Sequence, residues 1–282
     1  MDVAAGGRPT LDHPSAPTGA ERASDDIIEI SHLEKIFTTV RGERIHALHD
    51  ISLSVREREF VTIVGPSGCG KSTLLYLVGG FLQPTSGTIR LRGRLVEGPG
   101  PDRGIVFQRY SLFPWLTVRG NIGFGLQEKG VPRRERERIV GEHVRLVHLE
   151  GFEDRYPREL SGGMQQRVAL AQTLACQPDI LLMDEPFGAL DAQTRRILQD
   201  EVRRIWRRDM KTVLFVTHDV EEAVALGTRI VVMSARPGRI KEVFARSFEL
   251  ADGDELEANP EFAALKLRIW RSVKEEVSAV RA

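Results

Sequence analysis

The chain of 282 residues is 41% apolar and 28% charged, ordinary for a globular protein and long enough to bury a substantial core. Its 40 Lys and Arg balance 40 Asp and Glu, so the basic excess that marks most nucleic-acid binders is missing and no nucleic-acid partner is expected. The two cysteines, Cys69 and Cys176, form no metal or redox motif, which fits a reducing compartment. The N-terminus lacks a basic start followed by an apolar stretch, so no leader peptide is expected. No run approaches the roughly 18 apolar residues of a spanning helix. If the protein serves a membrane, it does so from the cytoplasmic side through a partner.

Residues 1–26 are rich in Ala, Gly, Pro, Ser and Thr, show no apolar period, and read as a disordered arm. From Ile27 the pattern changes. Ile28 and Ile30, then Ile45, Ala47, Leu48, Ile51, Leu53 and Val55, suggest short strands of an antiparallel sheet. Phe60 to Val64 is a compact apolar run ending in glycine, a buried strand, and residues 71–80 read as a helix. A helical signal runs from Thr117 to about Leu149, with Pro132 placed as a first-turn residue and Arg133 to Arg138 as a solvated face of alternating sign. A helix follows Ser161, and another covers about Ala192 to Arg208. Ile180–Met183, Thr212–Thr217 and Ile230–Met233 are further buried strands. Short apolar strands alternating with helices predict an α/β fold with a mainly parallel sheet covered on both faces. From Pro260, Phe262, Leu265, Ile269, Val273 and Val277 recur at helical spacing. That stripe either packs on the domain's own surface or forms a contact helix for a partner.

Gly65-Pro66-Ser67-Gly68-Cys69-Gly70-Lys71-Ser72 matches G-x-x-x-x-G-K-[ST] between a predicted strand and a predicted helix, the context of a P-loop. Glycines let backbone N–H groups turn toward phosphate oxygens, and the helix N-terminus adds its positive end. Lys71 offers a mobile charge to the β- and γ-phosphates of ATP, and Ser72 a hydroxyl to Mg²⁺. Thr73 joins the same first turn, and Cys69 contributes its backbone alone. The strand Ile180–Met183 delivers Asp184 at its carboxyl end, where it can hold Mg²⁺ through water. Glu185 beside it is placed to orient or deprotonate an attacking water.

Leu160-Ser161-Gly162-Gly163-Met164-Gln165-Gln166-Arg167 sets a serine and two glycines at the start of a helix, a second anion site that most P-loop enzymes lack. With this segment the chain resembles the ATP-binding cassette family, across roughly residues 27–246, and the segment is similar to the family's signature motif. The resemblance implies a P-loop ATPase core with an antiparallel β subdomain and a helical subdomain at about 109–165, followed by a C-terminal helical extension at 247–282. It implies that Phe37 stacks on adenine. Gln108 becomes the glutamine that senses Mg²⁺ and the partner, and His218 the switch histidine at the γ-phosphate. Gly188-Ala189-Leu190-Asp191 resembles the family's D-loop, which puts Asp191 with the nucleotide-binding residues. It also implies that two cassettes meet head to tail, ATP on Lys71 of one being closed over by Ser161, Gly162, Gly163 and Gln165 of the other.

Gln108 to Leu116 is an aromatic-rich turn that is similar to the groove in which importers receive a short helix of the membrane subunit; it serves equally as local core. The stretch Met233 to Ile240 and the tail near Leu267-Arg268-Ile269-Trp270 are similar to the nitrate, sulfonate and taurine importer branch. The tail after residue 246 is too short for the β-rich regulatory domain of some sugar importers. The expected partners are therefore a second cassette, transmembrane permease subunits and, indirectly, a solute-binding protein, with the chain peripheral on the cytoplasmic membrane face. Two other readings stand beside this one: a non-transport ABC ATPase, and an ATP-binding regulatory switch that does not hydrolyse.

Overall fold

The computed structural model describes residues 26–108, 111–188, 190–248, 256 and 258–281. The expected N-terminal arm lies outside these residues except for Asp26, which opens the first strand. Arg109 and Tyr110 of the aromatic turn, and Ala189, also lie outside them.

β1 (Asp26–Thr38) and β2 (Arg44–Arg56) form a long antiparallel pair. Alternation buries Ile28, Ile30, Ile51, Leu53 and Val55 on one face, as the apolar pattern requires. β4 (Ser86–Leu91) pairs with β1 on its other side and carries the short β5 (Arg94–Leu95), giving the order β2-β1-β4-β5. The sequence reading does not anticipate β4 and β5. Only Ile89 and Leu91 of β4 are buried, so Ser86, Gly87 and Thr88 mask the strand behind loop-like composition.

The second sheet holds β3 (Phe60–Val64), β6 (Arg103–Val106), β7 (Ile180–Asp184), β8 (Thr212–Val216) and β9 (Arg229–Met233). All five are parallel, in the order β9-β3-β8-β7-β6, and β10 (Ile240–Ala245) runs antiparallel along the β9 edge. β3, β7 and β8 are buried at every position, which is why they read as unbroken apolar runs. β6 is an edge strand with one buried residue, Val106, and escapes the same reading. This is the α/β fold expected.

α1 (Lys71–Val78) lies between the two sheets. Leu74, Leu75 and Val78 join one buried cluster with Ile28, Leu48 and Ile51 below and Ile63 and Leu182 above. Burying each such side chain stabilises the fold by about 1.5–3 kcal/mol. The helix ends at Val78, short of the expected residue 80, because Gly80 turns left-handed at φ +79 against the Gly98 carbonyl, where no Cβ fits.

α2 (Val118–Glu128), α3 (Arg133–Leu146) and α4 (Gly162–Ala175) form a helical layer with its own core of Val118, Ile122, Val140, Val144, Leu160, Val168 and Ala171. The helical signal expected from Thr117 to Leu149 is two helices. They part at Gly130, which takes φ +71, and Pro132 stands just before the first turn of α3 rather than within it. Arg133 pairs with Glu137, and Arg138 with Glu135 and Glu142, along the exposed face of α3.

α5 (Ala192–Asp209) covers the far face of the parallel sheet, where Leu198 and Val202 meet Phe60, Phe187 and Phe215. α6 (Val220–Leu226) and α7 (Pro260–Arg281) close the β9 side. Phe262, Leu265 and Ile269 of α7 pack with Ala223, Val224, Ile230 and Val232, so the tail stripe lies on the chain's own surface. Val273 is half-buried and Val277 is 36% exposed, so the stripe weakens toward the end of the helix. Among the described residues no helix is long and apolar enough to cross a membrane.

Candidate active site

The carboxyl ends of β3, β7 and β8 converge on the loop before α1, the edge where parallel sheets bind ligands. A pocket of about 600 Å³ opens there, with Ser67, Gly68 and Gly70 at its floor beside Lys71, Ser72 and Thr73 of the first helical turn. Gly70 sits at φ +104 with Leu48 Cδ2 2.6 Å and the Ala47 oxygen 2.9 Å from where a Cβ would lie. Only glycine lets the loop bend this way. α1 has no side-chain cap at its N-terminus, so the N–H groups of its first turn are left for whatever enters the pocket.

Lys71 is only 6% exposed. Its Nζ donates to the Gly65 oxygen at 2.9 Å and the Pro66 oxygen at 3.0 Å, and no carboxylate pairs with it among the described residues. Gly65 and Pro66 thus orient the ammonium from behind the lining. The Cys69 side chain is buried, and burial pushes its thiol up, away from reactivity.

Asp184 is fully buried at the end of β7. Ser72 Oγ donates to its Oδ1 at 2.8 Å and Tyr76 OH donates to its Oδ2 at 2.9 Å. Burial pushes the Asp184 carboxyl above the usual range, and these two hydrogen bonds oppose the rise. Burial and the Asp184 charge raise the Tyr76 hydroxyl to about 12, so it remains a donor. Tyr76 is absent from the sequence-derived set. Its spacing of one helical turn from Ser72 on α1 is the signal that finds it.

Glu185 follows in the left-handed region, at φ +47. Its surroundings hold that conformation: its N–H donates to the Val216 oxygen at 2.9 Å, and its own oxygen accepts from Gly188 N at 3.1 Å and Gln166 Nε2 at 3.3 Å. The turn throws the carboxylate toward the pocket. Gln108 Nε2 donates to Glu185 Oε2 at 3.0 Å, and His218 Nδ1 lies 3.2 Å from the same oxygen. His218 comes from the loop after β8. Thr217 Oγ1 donates to Glu222 Oε2 at 2.6 Å, and Asp219 caps α6, so both neighbours of the histidine are anchored.

The opposite wall is Phe37, Ile45 and Ala47. Phe37 pairs with Ile45 across β1 and β2 and is 37% exposed, with Lys35 Nζ 5.1 Å from its ring centroid. Ser161, Gly162, Gly163 and Gln165 do not line this pocket. Ser161 caps α4 by accepting from Met164 N and is exposed, and Gln165 Nε2 donates to the Leu160 oxygen. Asp191 is also outside the pocket. It caps α5 by accepting from Thr194 N at 2.9 Å, a bond that holds its carboxyl below the usual range. One chain therefore gathers Phe37, the loop, Asp184, Glu185, Gln108 and His218, and leaves the α4 helix start and Asp191 apart.

The donors around Ser72 and Asp184 are all oxygens, the set that suits a hard divalent cation. No group of three or more His, Cys, Asp or Glu side chains able to hold a metal occurs among the described residues, so a cation here would need ligand oxygens to complete its shell. The residues fit Mg²⁺ carried in with phosphates.

Comparison with known proteins accords with this geometry. The family model described as ABC transporter matches residues 48–188. The taurine import ATP-binding protein of Rhizobium johnstonii is 48% identical over 248 residues, 86% of this chain and 95% of the relative. The nitrate import ATP-binding protein of Synechocystis sp. is 52% identical over 214 residues, 76% of this chain and 80% of the relative. A solved dimeric ATP-binding cassette, captured after hydrolysis with ADP and phosphate, superposes with a TM-score of 0.72 at 34% identity, covering 78% of this chain and all of that one. The chain belongs to the ABC transporter family and is one of its ATPase cassettes.

Proposed function

We propose that this chain hydrolyses ATP in a dimer of cassettes and couples that reaction to uptake of a small anion or organic solute of the nitrate, sulfonate or taurine type through separate permease subunits. The observation that carries the ATPase reading is the convergence on Glu185. Its carboxylate is held by Gln108 and His218 immediately beyond Asp184, which the P-loop residue Ser72 grips.

In this reading Phe37 stacks on adenine and the loop N–H groups, with Lys71, receive the β- and γ-phosphates. Ser72, Asp184 and Gln108 would hold Mg²⁺, which when bound neutralises charge on the phosphate oxygens. Glu185 accepts a proton from the attacking water, and its Oε2 is already oriented by two partners. His218, 3.2 Å from Glu185 Oε2, is placed to contact the γ-phosphate. Catalysis here is positioning and charge neutralisation rather than covalent chemistry.

The separation of Ser161–Gly163 from the pocket supports a dimeric site, because a second copy rotated head to tail brings its α4 helix start over the first copy's phosphates. Those N–H groups and the dipole of α4 suit an anion. An apolar groove of about 530 Å³ between Ile105, Phe107, Phe113, Phe124 and Cys176 supports permease contact. The Phe113 and Phe124 rings meet tilted at 45° with centroids 4.4 Å apart, and Trp115 lies against Phe113, 70% exposed. The chain would then sit peripherally on the cytoplasmic membrane face, with residues 27–246 as the cassette and 247–282 as its extension. The names of the taurine and nitrate relatives support the solute class.

Mg²⁺-dependent ATP hydrolysis measured across protein concentration tests the reading. Turnover that rises faster than linearly and is lost in Lys71→Ala and Glu185→Gln supports it. ATP binding without turnover, even with permease subunits in a bilayer, favours the regulatory switch.

A further inference from the structure

Arg236 stands in the nucleotide pocket but belongs to none of the elements described above. It lies in the turn between β9 and β10, and its guanidinium donates to the Gly68 oxygen through both Nε, at 3.2 Å, and Nη2, at 3.1 Å. Gly68 is at the apex of the P-loop, at φ +75. Its carbonyl shares a peptide plane with the Cys69 N–H, so fixing the oxygen fixes which way that N–H points. Arg236 has no carboxylate partner among the described residues, and Glu185 is the sole carboxylate lining the pocket. Arg236 is exposed, so its charge faces solvent and whatever enters the pocket.

The turn that carries Arg236 is fastened on two sides. Gly238 N donates to the Ala47 oxygen at 3.0 Å and His49 N to the Gly238 oxygen at 3.0 Å, which ties the turn to β2 beside the Phe37 wall. Gly238 packs against the Cys69 carbonyl so closely that no Cβ fits. On the other side Ala235 N donates to Glu276 Oε2 of α7 at 2.9 Å, and Lys241 Nζ lies 3.0 Å from Glu276 Oε1. A continuous set of bonds thus runs from the C-terminal helix, through residues 235 and 236, to the P-loop.

We propose that Arg236 is a nucleotide-affinity residue, clamping the apex of the P-loop and placing a second permanent cation beside Lys71, and that Glu276 of α7 is the positioning residue that holds its turn. This rests on the reading that the pocket binds ATP. It gives the C-terminal helix a function at the active site that its packing alone does not. A fork that grips one carbonyl with two N–H groups is specific to arginine, so charge without the fork does only part of the work.

The test is titration of a fluorescent ATP analogue into the full chain, with KM and kcat from steady-state hydrolysis and melting temperatures as the control for folding. Arg236→Gln raises the Kd about tenfold, the loss expected for a charge-assisted bond, and acts on KM more than on kcat. Arg236→Lys recovers less than half of that loss on a logarithmic scale. Glu276→Ala raises the Kd about two- to fourfold, and the double variant binds no more weakly than Arg236→Gln alone, because both act through one contact. An Arg236→Gln Kd within about twofold of the parent overturns the proposal, and additive losses overturn the part assigned to Glu276. Lys71→Ala separates the two readings. If the parent binds and Lys71→Ala does not, failure at Arg236 is failure of this inference alone. If Lys71→Ala binds as the parent does, the pocket assignment falls and takes the inference with it.

Discussion

Gln108 donates its amide N–H to Glu185 Oε2 at 3.0 Å, joining the segment that leads into the helical layer to the carboxylate at the end of β7. Glu185, the proposed proton acceptor, is thus bonded directly to the residue that follows Phe107. The apolar groove proposed for permease contact is lined by Phe107 and Phe113 of the same stretch of chain. In the proposed importer, the hydrogen bond from Gln108 to Glu185 would link permease contact to hydrolysis. Gln108→Ala is expected to lower kcat by about tenfold, the size of one lost charge-assisted hydrogen bond, and to weaken binding of Mg²⁺ and ATP by less than that. Equal losses in binding and kcat would assign Gln108 to ground-state binding instead.

Asp184 is a buried carboxylate whose ionised form the fold opposes. A folded-state pKa above the unfolded value means that the native chain holds its proton more tightly, so ionisation costs stability as pH rises from the ordinary carboxylate range through the raised value. Asp184→Asn is therefore expected to melt at or above the parent temperature at neutral pH without nucleotide. The gap should narrow as pH falls through the raised value and close below the ordinary carboxylate range, where Asp184 is protonated in both states. The same variant loses hydrolysis by about 100-fold or more, since the carboxylate acts only when charged. A lower melting temperature for the variant at neutral pH would contradict this assignment of strain.

Tyr76 supports Asp184 from behind. Removing its hydroxyl in Tyr76→Phe leaves a buried carboxylate with one donor fewer, a loss of about 1–2 kcal/mol. The expected result is a lower melting temperature together with an apparent Mg²⁺ affinity weakened by about tenfold, as for other groups that orient a metal ligand. Mg²⁺ titration of ATPase activity checks it.

Phe37 offers an exposed ring at the pocket wall. Phe37→Ala is expected to raise the Kd for ATP by about 5- to 10-fold, and Phe37→Trp to keep it near the parent, because stacking needs a π face rather than a particular ring. A Kd unchanged in Phe37→Ala would place adenine elsewhere.

Much of this site is legible before any coordinates. The P-loop pattern, the strand delivering Asp184 and the serine-glycine start of α4 all depend on residues close together in the chain. Strands buried on both faces announce themselves in the same way, as β3, β7 and β8 do. The reading misses what depends on distant packing or on weak patterns. β4 carries two buried residues among six, and β6 one among four. Tyr76 is readable only once Ser72 is known to need a neighbour one turn on. Arg236 reaches the P-loop from 168 positions away, and no local pattern reports such a contact. Asp191 looks like a pocket residue in order along the chain, yet in one copy its carboxylate is occupied in capping α5.

In the proposed dimer the α4 helix start of one copy closes over the phosphates held by another. The most direct measurement is the mass in solution of Glu185→Gln, with and without Mg²⁺ and ATP, by light scattering, alongside the doubly substituted Glu185→Gln, Ser161→Arg chain. Glu185→Gln should bind ATP without turning it over and double in mass, while the added Ser161→Arg should bind ATP and stay monomeric. A Glu185→Gln chain that binds ATP and remains a monomer would rule out closure of the site by a second copy.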